Sequence, residues 1–177
     1  SGPGALIYYL GCSEPETARF VMEFLQQGMV FWDIGAHIGE YSVLASLRIG
    51  DQGKVDAFEP HPGLLDLLHR NIESNRLRNV SIQSQAVADE AGNADFTLDP
   101  EPAISHLRGL NGSGSAASQT VRVSTVSLSD FHAGCGYAPH LIKIYVEGAE
   151  KLVLKGAQTL LELPADRAPL AAFLRAL

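Results

Sequence analysis

Short apolar runs alternate with amphipathic segments along the first half of the chain. The apolar run at residues 29–32 ends in Asp33 and a glycine turn. Residues 55–58 repeat this pattern and end in Glu59. Apolar runs of this length, bounded by turn signals, are typical of buried strands. Further strands are predicted for the same reason over residues 80–87 and 140–146.

Between these strands, apolar residues recur with the period of an α-helix. The first helix has capping-box spacing at Ser13 and Glu16, and Gly28 lies where that helix would stop. Because strands alternate with helices, the sequence predicts an α/β domain with a mostly parallel sheet and right-handed crossovers. The other predicted helices cover residues 39–48, 60–75 and 148–161.

The alternation breaks in the second half of the chain. Residues 94–98 and 120–126 are predicted as strands, but residues 99–119 between them are rich in Pro, Gly and Ser. Such a composition is typical of a mobile surface loop. The alternative is that this loop shapes a binding site, since loops often carry specificity.

The end of the chain also departs from the pattern. Residues 164–177 contain no β-branched run, and residues 170–174 fit either a short strand or a helical turn. Without a further strand, the 140–146 strand would approach an open sheet edge, which invites unwanted pairing. The sheet is therefore expected to be truncated at the C-terminus. The chain is then a fragment, or a partner or the terminal segment covers that edge.

Length and charge restrict the class of protein. The 177 residues suit a single domain, residues 1–177, and the net charge of −7 argues against broad nucleic-acid binding. Cys12 and Cys135 are expected to be free thiols in a reducing compartment. No apolar run approaches the roughly 20 residues needed to cross a bilayer, and no leader opens the chain. We therefore expect a soluble cytoplasmic protein with no membrane partner. The histidines are scattered, so no metal site is expected.

The glycine turn after the first strand is a candidate ligand site. Gly35 and Gly39 follow Asp33, and glycine lets a ligand approach the backbone closely. The spacing differs from the G-x-G-x-x-G turn that binds the pyrophosphate of dinucleotides. An acid beside the turn suits S-adenosylmethionine, which carries an ammonium and a sulfonium but no phosphate. His37 inside the turn is interpreted as shaping the backbone near the cofactor, with a catalytic base as the alternative.

Two further strand ends contribute to the same predicted pocket. Glu59 ends the second strand, where an acid can accept both ribose hydroxyls. At the end of the third strand, Gln85 could bind the edge of the adenine, and Ala86 and Val87 could pack against its faces. Plain core packing is the alternative for these three residues. Asp33 and Glu59 at neighbouring strand tips thus predict a site for S-adenosylmethionine and, with it, methyl transfer.

The fourth predicted strand ends in three polar residues at alternate positions. Lys143, Tyr145 and Glu147 would share one face and could deprotonate or orient an acceptor hydroxyl. In the alternative interpretation, Lys143 reaches solvent and Glu147 caps the following helix.

Five ordered motifs carry a resemblance to a known family, and they are residues 31–42, 57–62, 71–75, 85–89 and 142–150. In these motifs the chain resembles the FkbM family of S-adenosylmethionine-dependent methyltransferases. The resemblance implies a three-layer Rossmann-like class I fold and O-methylation of a small molecule or sugar. It assigns the cofactor loop to Asp33, Gly35 and Gly39 and the ribose contact to Glu59. The matched motifs also include the candidate cofactor-site residues Ala36, Tyr41, Ser42 and Pro60.

The resemblance has one departure with a chemical consequence. The family usually has aspartate where this chain has Tyr145, and a tyrosine with a reference pKa near about 10 is a poor base at neutral pH. The leading hypothesis is a methyltransferase with a small-molecule hydroxyl acceptor. The alternative is a non-catalytic cofactor-binding or scaffold protein. A nicotinamide dehydrogenase is disfavoured because the pyrophosphate turn is missing. Oligomeric state is open, with a homodimer among the alternatives.

Overall fold

The computed structural model describes residues 14–100, 105–107, 118–164 and 170–173. The helices are α1 (Pro15–Phe24), α2 (Glu40–Ile49), α3 (Pro62–Ser74), α4 (Leu128–Cys135), α5 (Glu150–Gly156) and α6 (Gln158–Leu161). The strands are β1 (Val30–Ile34), β2 (Lys54–Phe58), β3 (Val80–Gln83), β4 (Ala86–Val87), β5 (Gly92–Leu98), β6 (His106–Leu107), β7 (Gln119–Val126), β8 (Leu141–Ile144) and β9 (Leu170–Phe173).

The main sheet has five strands in the order β3-β2-β1-β8-β9, and all of its pairs are parallel. The first crossovers lead from β1 outward through β2 to β3, and β8 then pairs on the other side of β1. The strand order therefore reverses at β1, between β2 and β8. In open α/β sheets, ligands bind at the carboxyl ends of the strands at such a point. The predicted α/β class and mostly parallel sheet are confirmed.

Alternate residues of the strands fill two cores, one on each face of the main sheet. One core joins Trp32, Ile34, Phe58, Ile142 and Ile144 to Leu128 of α4, Val153 of α5 and Leu160 of α6. The other core joins Phe31, Val55 and Leu141 to α1 and α2. Because both faces are covered by helices, the inner strands β1, β2 and β8 are buried almost continuously, as parallel strands usually are. The expected three-layer Rossmann-like arrangement is confirmed.

The predicted strand over residues 80–87 is wrong as a single element. It divides into β3, which ends the main sheet, and β4, which pairs with β7 in a second sheet of order β4-β7-β5-β6. Ser84 between them is exposed, while Ala86 and Val87 are buried. The apolar pattern continues along the chain because β3 is partly buried and β4 is fully buried, although they lie in different sheets.

The break in alternation is explained by this second sheet. The predicted strands at 94–98 and 120–126 are confirmed as β5 and β7, which pair antiparallel from Gly92↔Thr125 to Leu98↔Gln119. Most of the predicted loop over residues 99–119 lies outside the described residues. Its described part includes β6, where Leu107 pairs with Phe96.

Two helix predictions need correction, and one helix was missed. The first helix begins at Pro15 with Glu14 as its N-cap and ends at Phe24, while Ser13, the predicted cap, lies outside the described residues. Proline suits this first position because it has no N–H to leave unpaired. The helix predicted over 148–161 begins at Glu150 and divides at Ala157. Helix α4 was not predicted.

The edge strand β9 pairs in parallel with β8, from Leu141↔Leu170 to Ile144↔Phe173. Of the two alternatives for residues 170–174, the short strand is therefore confirmed. The terminal segment covers the edge of β8 that the sequence would otherwise leave open.

A buried carboxylate on the α4 side of the sheet gives a first stability prediction. Asp56 is 1% exposed, burial raises its pKa, and the hydroxyl of Tyr137 donates to it over 2.9 Å. Tyr137→Phe is expected to lower the free energy of unfolding by about 2 kcal/mol, because it removes a hydrogen bond to a buried charge. Urea unfolding followed by the fluorescence of the single tryptophan, Trp32, measures it.

Tyr41→Phe is the matched control for this experiment. The Tyr41 hydroxyl donates to Glu14 over 3.2 Å, and Glu14 is partly exposed, so water can replace the lost bond. We expect a loss below about 1 kcal/mol. Equal losses in the two variants would show that the burial of Asp56 does not determine the effect.

Candidate active site at the carboxyl edge of the main sheet

The turn between β1 and α2 is fixed by its backbone. Gly35 has φ of +74°, and the N–H groups of Gly35 and Ala36 both donate to the carbonyl oxygen of Phe58, at 3.0 and 2.9 Å. A Cβ atom at Gly35 would lie 1.9 Å from the carbonyl oxygen of Tyr145. The turn therefore fits between the end of β2 and the segment that follows β8, with no room for a side chain.

Glu59 connects this turn to the start of α3. Its Oε2 accepts the N–H of His37 at 2.8 Å, and its Oε1 accepts the N–H of His61 at 2.8 Å. Burial raises the pKa of Glu59, while these two N–H groups act in the opposite direction. His61 was not assigned to the site from the sequence. Its Nδ1 also accepts the N–H of Gly63 and caps α3. Pro60 lies between Glu59 and His61 in the chain, and its role toward a cofactor stays a prediction.

His37 takes part in the turn through its backbone. Its φ is +54°, a conformation that is uncommon for residues other than glycine. Burial lowers the pKa of its imidazole, and the positive charge of Lys143 lowers it further. The positive φ and the bond from its backbone N–H to Glu59 agree with the interpretation of His37 as a shaping residue. Its role toward a cofactor stays a prediction.

Asp33 lies at the bottom of the site and is fully buried. Its Oδ2 accepts the hydroxyl of Ser42 at 2.7 Å. Its Oδ1 lies 2.9 Å from Nζ of Lys143, as an ion pair without hydrogen-bond geometry. Each carboxylate oxygen of Asp33 thus faces a protein group, and direct contact between Asp33 and a cofactor stays a prediction.

The alternative interpretation that the Lys143 side chain extends into solvent is wrong. Its side chain is 4% exposed, and Nζ also donates to the carbonyl oxygen of Gly35 at 2.7 Å. The rings of Tyr41 and Tyr145 lie 5.3 and 5.6 Å from Nζ, measured to their centroids. A cation this close to aromatic rings is stabilised by their electron-rich faces. Lys143 is thus enclosed by the turn, Asp33 and two tyrosines.

The segment after β8 is a turn rather than a continuation of the strand. Because β8 ends at Ile144, the predicted alternation of Lys143, Tyr145 and Glu147 along one strand face is wrong. Glu147 has φ of +23°, and the N–H of Ala149 donates to the carbonyl oxygen of Val146. The N-cap of α5 is Ala149, so Glu147 does not cap that helix.

The electrostatics of this turn favour protonated forms. Burial raises the pKa of Glu147, and the neighbouring Glu150 raises it further, while His106 acts in the opposite direction. Burial, followed by the negative charge of Glu147, raises the pKa of the Tyr145 phenol. Glu147 is therefore a stronger base than an exposed carboxylate, whereas Tyr145 is a hydroxyl donor at neutral pH.

The predicted adenine residues lie farther along the chain, at the change of sheet. Ala86 and Val87 are each 4% exposed and belong to two different cores, which favours the packing alternative for both side chains. Gln85 is half-buried. Contact of these residues with a cofactor stays a prediction.

One supporting residue was not assigned to the site from the sequence. The side-chain amide of Asn71 on α3 donates to the carbonyl oxygen of Ile38 at 2.7 Å and so holds the far end of the turn. A polar residue within the apolar pattern of a helix was the available signal. Across the described ranges, no group of three or more His, Cys, Asp or Glu side chains could hold a metal ion. Within the same ranges, no helix combines the length and apolar character needed to span a membrane.

Comparisons with known proteins match the chain to one family and its members. The family model for the methyltransferase FkbM domain matches residues 33–164. The chain is 28% identical over 151 residues to the hexuronic acid methyltransferase AglP of Haloferax volcanii, covering 84% of this chain and 58% of that protein. It is 32% identical over 161 residues to the 31-O-demethyl-FK506 methyltransferase FkbM of Streptomyces tacrolimicus, covering 76% of this chain and 61% of that one.

Among solved structures, precorrin-6y C5,15-methyltransferase from Geobacter metallireducens is similar over 81% of this chain and 56% of its own. The identity is 20% and the TM-score is 0.49. The chain thus spans 58% and 61% of the two curated relatives named above. The family match runs from Asp33 past α6 and includes the turn, Glu59 and the segment after β8. The resemblance seen in the sequence is confirmed: the chain belongs to the FkbM methyltransferase family.

Proposed function

We propose that the protein uses S-adenosylmethionine to methylate a hydroxyl group of a small molecule or sugar. The observation that carries the proposal is Glu59, a buried carboxylate beside a glycine turn at the point where strand order reverses. Each of its oxygens accepts one backbone N–H. A carboxylate oxygen has two lone pairs, so each oxygen retains capacity for one ribose hydroxyl.

The glycine turn fits this cofactor better than a dinucleotide. Its first two N–H groups already donate to Phe58, and the N–H of His37 donates to Glu59. A pyrophosphate site needs free N–H groups at a helix N-terminus. The turn instead offers a closely approachable backbone next to a carboxylate, which suits a nucleoside without phosphate.

The relatives support the class of acceptor. One is described as a hexuronic acid methyltransferase and the other as a 31-O-demethyl-FK506 methyltransferase. Both names refer to small molecules, and the second refers to methylation at oxygen. A sugar or small-molecule hydroxyl is therefore the acceptor class we propose here.

The residues near the end of β8 supply the chemistry of the acceptor side. When bound, S-adenosylmethionine would supply an activated methyl group on a sulfonium leaving group. Glu147 accepts the hydroxyl proton of the acceptor as the new oxygen–carbon bond forms, and its raised pKa suits this role. Tyr145 orients the acceptor through its protonated phenol. Most of the rate comes from holding the two reactants in line.

Calorimetry and a labelled-methyl assay test the two halves of the proposal. S-Adenosylhomocysteine should bind and NAD should not, because the first N–H groups of the turn already donate to Phe58 and Glu59 and a carboxylate lies beside them. Transfer of labelled methyl from S-adenosylmethionine should then appear with a panel of hexuronic acids and other polyhydroxylated compounds. The reverse order of affinities would contradict the cofactor assignment. Binding without transfer to any acceptor would favour the non-catalytic alternative, which the raised pKa of Tyr145 motivates.

A further inference from the structure

The ammonium of Lys143 joins three separate parts of the site. It pairs with Asp33, its direct neighbour across the β1–β8 register, and donates to the carbonyl oxygen of Gly35. Asp33 in turn accepts the hydroxyl of Ser42 on the first turn of α2. One buried cluster, Asp33–Ser42–Lys143, therefore links the end of β1, the glycine turn, the start of α2 and β8.

The glycine turn is held by four groups, and Lys143 is one of them. The carbonyl of Phe58 holds two N–H groups from the side of β2, and Glu59 holds the N–H of His37. Lys143 holds the carbonyl oxygen of Gly35 from the side of β8. Asn71 holds the carbonyl oxygen of Ile38 at the far end of the turn, whereas Lys143 fixes the orientation of the Gly35 peptide group at its start.

The surroundings of Lys143 leave its ammonium little access to an acceptor. The side chain is 4% exposed, and the rings of Tyr41 and Tyr145 flank Nζ. A group that exchanges protons with a substrate must come within hydrogen-bond reach of it. The contacts of this ammonium are instead with Asp33 and Gly35.

We infer that Lys143 is a positioning residue, which together with Asp33 sets the glycine turn for the cofactor and takes no part in proton transfer. The inference rests on the proposed function, since it concerns the same cofactor site. In this arrangement the charge of Asp33 holds the ammonium of Lys143, which in turn holds the glycine turn. The direct contacts with the cofactor are then made by Glu59 and the backbone of the turn.

The test compares cofactor affinity with turnover in variants of the full chain. The double variant Asp33→Asn with Lys143→Met removes both charges together, because either single change would leave one buried charge unpaired. We expect its dissociation constant for S-adenosylhomocysteine to rise at least about tenfold, with kcat at saturating S-adenosylmethionine changed less than about threefold. Trp32, next to Asp33 in β1, reports by fluorescence whether the variant is folded.

A milder variant keeps the inference testable if the double variant does not fold. Ser42→Ala removes one hydrogen bond to Asp33 but leaves both charges in place, and Ser42 is fully buried, so it cannot touch the cofactor itself. We expect affinity for S-adenosylhomocysteine to weaken by about threefold. Lys155→Met is the matched control, since Lys155 forms an exposed pair with Asp89 at 2.7 Å, and its affinity should be unchanged.

The outcomes separate this inference from the proposed function. If the wild-type chain does not bind S-adenosylhomocysteine, the proposed function fails. If it binds and a folded double variant binds equally well, the positioning role is overturned. A fall in kcat with unchanged affinity, together with an altered pH profile, would instead make Lys143 a proton-transfer group. Unchanged affinity in Ser42→Ala would overturn the inference where the double variant is unfolded.

Discussion

Gly35→Ala is expected to destabilise the protein by about 4 kcal/mol and to abolish binding of S-adenosylhomocysteine. The new Cβ would lie 1.9 Å from the carbonyl oxygen of Tyr145 and 3.3 Å from Cγ1 of Val146. The carbonyl cannot rotate away freely, because the N–H of Tyr145 donates to Ile34 and fixes the chain there. Either the turn or the segment after β8 must therefore move.

Gly28→Ala is the matched control for the effect of backbone conformation. Gly28 has φ of +81°, close to the +74° of Gly35, but an added Cβ would meet nothing within 4 Å. Its expected loss is about 1 kcal/mol, from the left-handed conformation alone. Urea unfolding followed by Trp32 fluorescence measures both variants. A loss at Gly35 no larger than that at Gly28 would contradict the close packing of the turn on Tyr145.

The main sheet could be predicted because its signals are local. The apolar runs that form β1 and β2 are short and bounded by turns, and one helical segment separates them. This alternation of strand and helix indicated a parallel sheet. Glu59 comes directly after β2, and Asp33 is the second-last residue of β1, so the strand patterns located both acids. The terminal strand was left open between two alternatives because residues 170–173, Leu-Ala-Ala-Phe, have no strong preference for strand or helix.

Other elements depended on partners that are distant in sequence. Ala86 and Val87 continue the apolar pattern of β3, and only pairing with β7 places them in a second sheet. The ion pair of Asp33 with Lys143 requires the register of β1 on β8, which no spacing along the chain reveals. Both acids were therefore predicted to meet the ligand, whereas the geometry shows Asp33 paired with Lys143; both roles toward a cofactor stay predictions.

Helix α4 was missed although the sequence contains a signal for its N-terminus. Ser127 accepts the N–H of Asp130 at 3.0 Å, and Ser-x-x-Asp before Phe131 is a recognisable N-terminal pattern. The helix packs Phe131 edge-on against Trp32 and Phe58, at centroid distances of 5.1 and 4.9 Å. Its sequence also contains Gly134, which weakens the helical pattern of so short an element.

Glu59→Gln is expected to weaken binding of S-adenosylhomocysteine by about a hundredfold. The change removes the negative charge that two ribose hydroxyls would bind. It also places an amide NH₂ against the N–H of either His37 or His61, since only one oxygen remains to accept them. Because burial raises the pKa of Glu59, wild-type affinity should also fall as the pH is lowered, beginning at a higher pH than for an exposed glutamate. Calorimetry over a pH series measures both effects.

Glu73→Gln is the control for loss of one negative charge, because Glu73 lies on the exposed face of α3. Its affinity should match the wild type at every pH, while Glu59→Gln should lose the acid-dependent decline that the wild type shows. The fluorescence of Trp32 establishes that both variants are folded. Unaltered affinity in a folded Glu59→Gln variant would remove the carboxylate from the cofactor site and, with it, the basis for placing a nucleoside at the switch between β2 and β8.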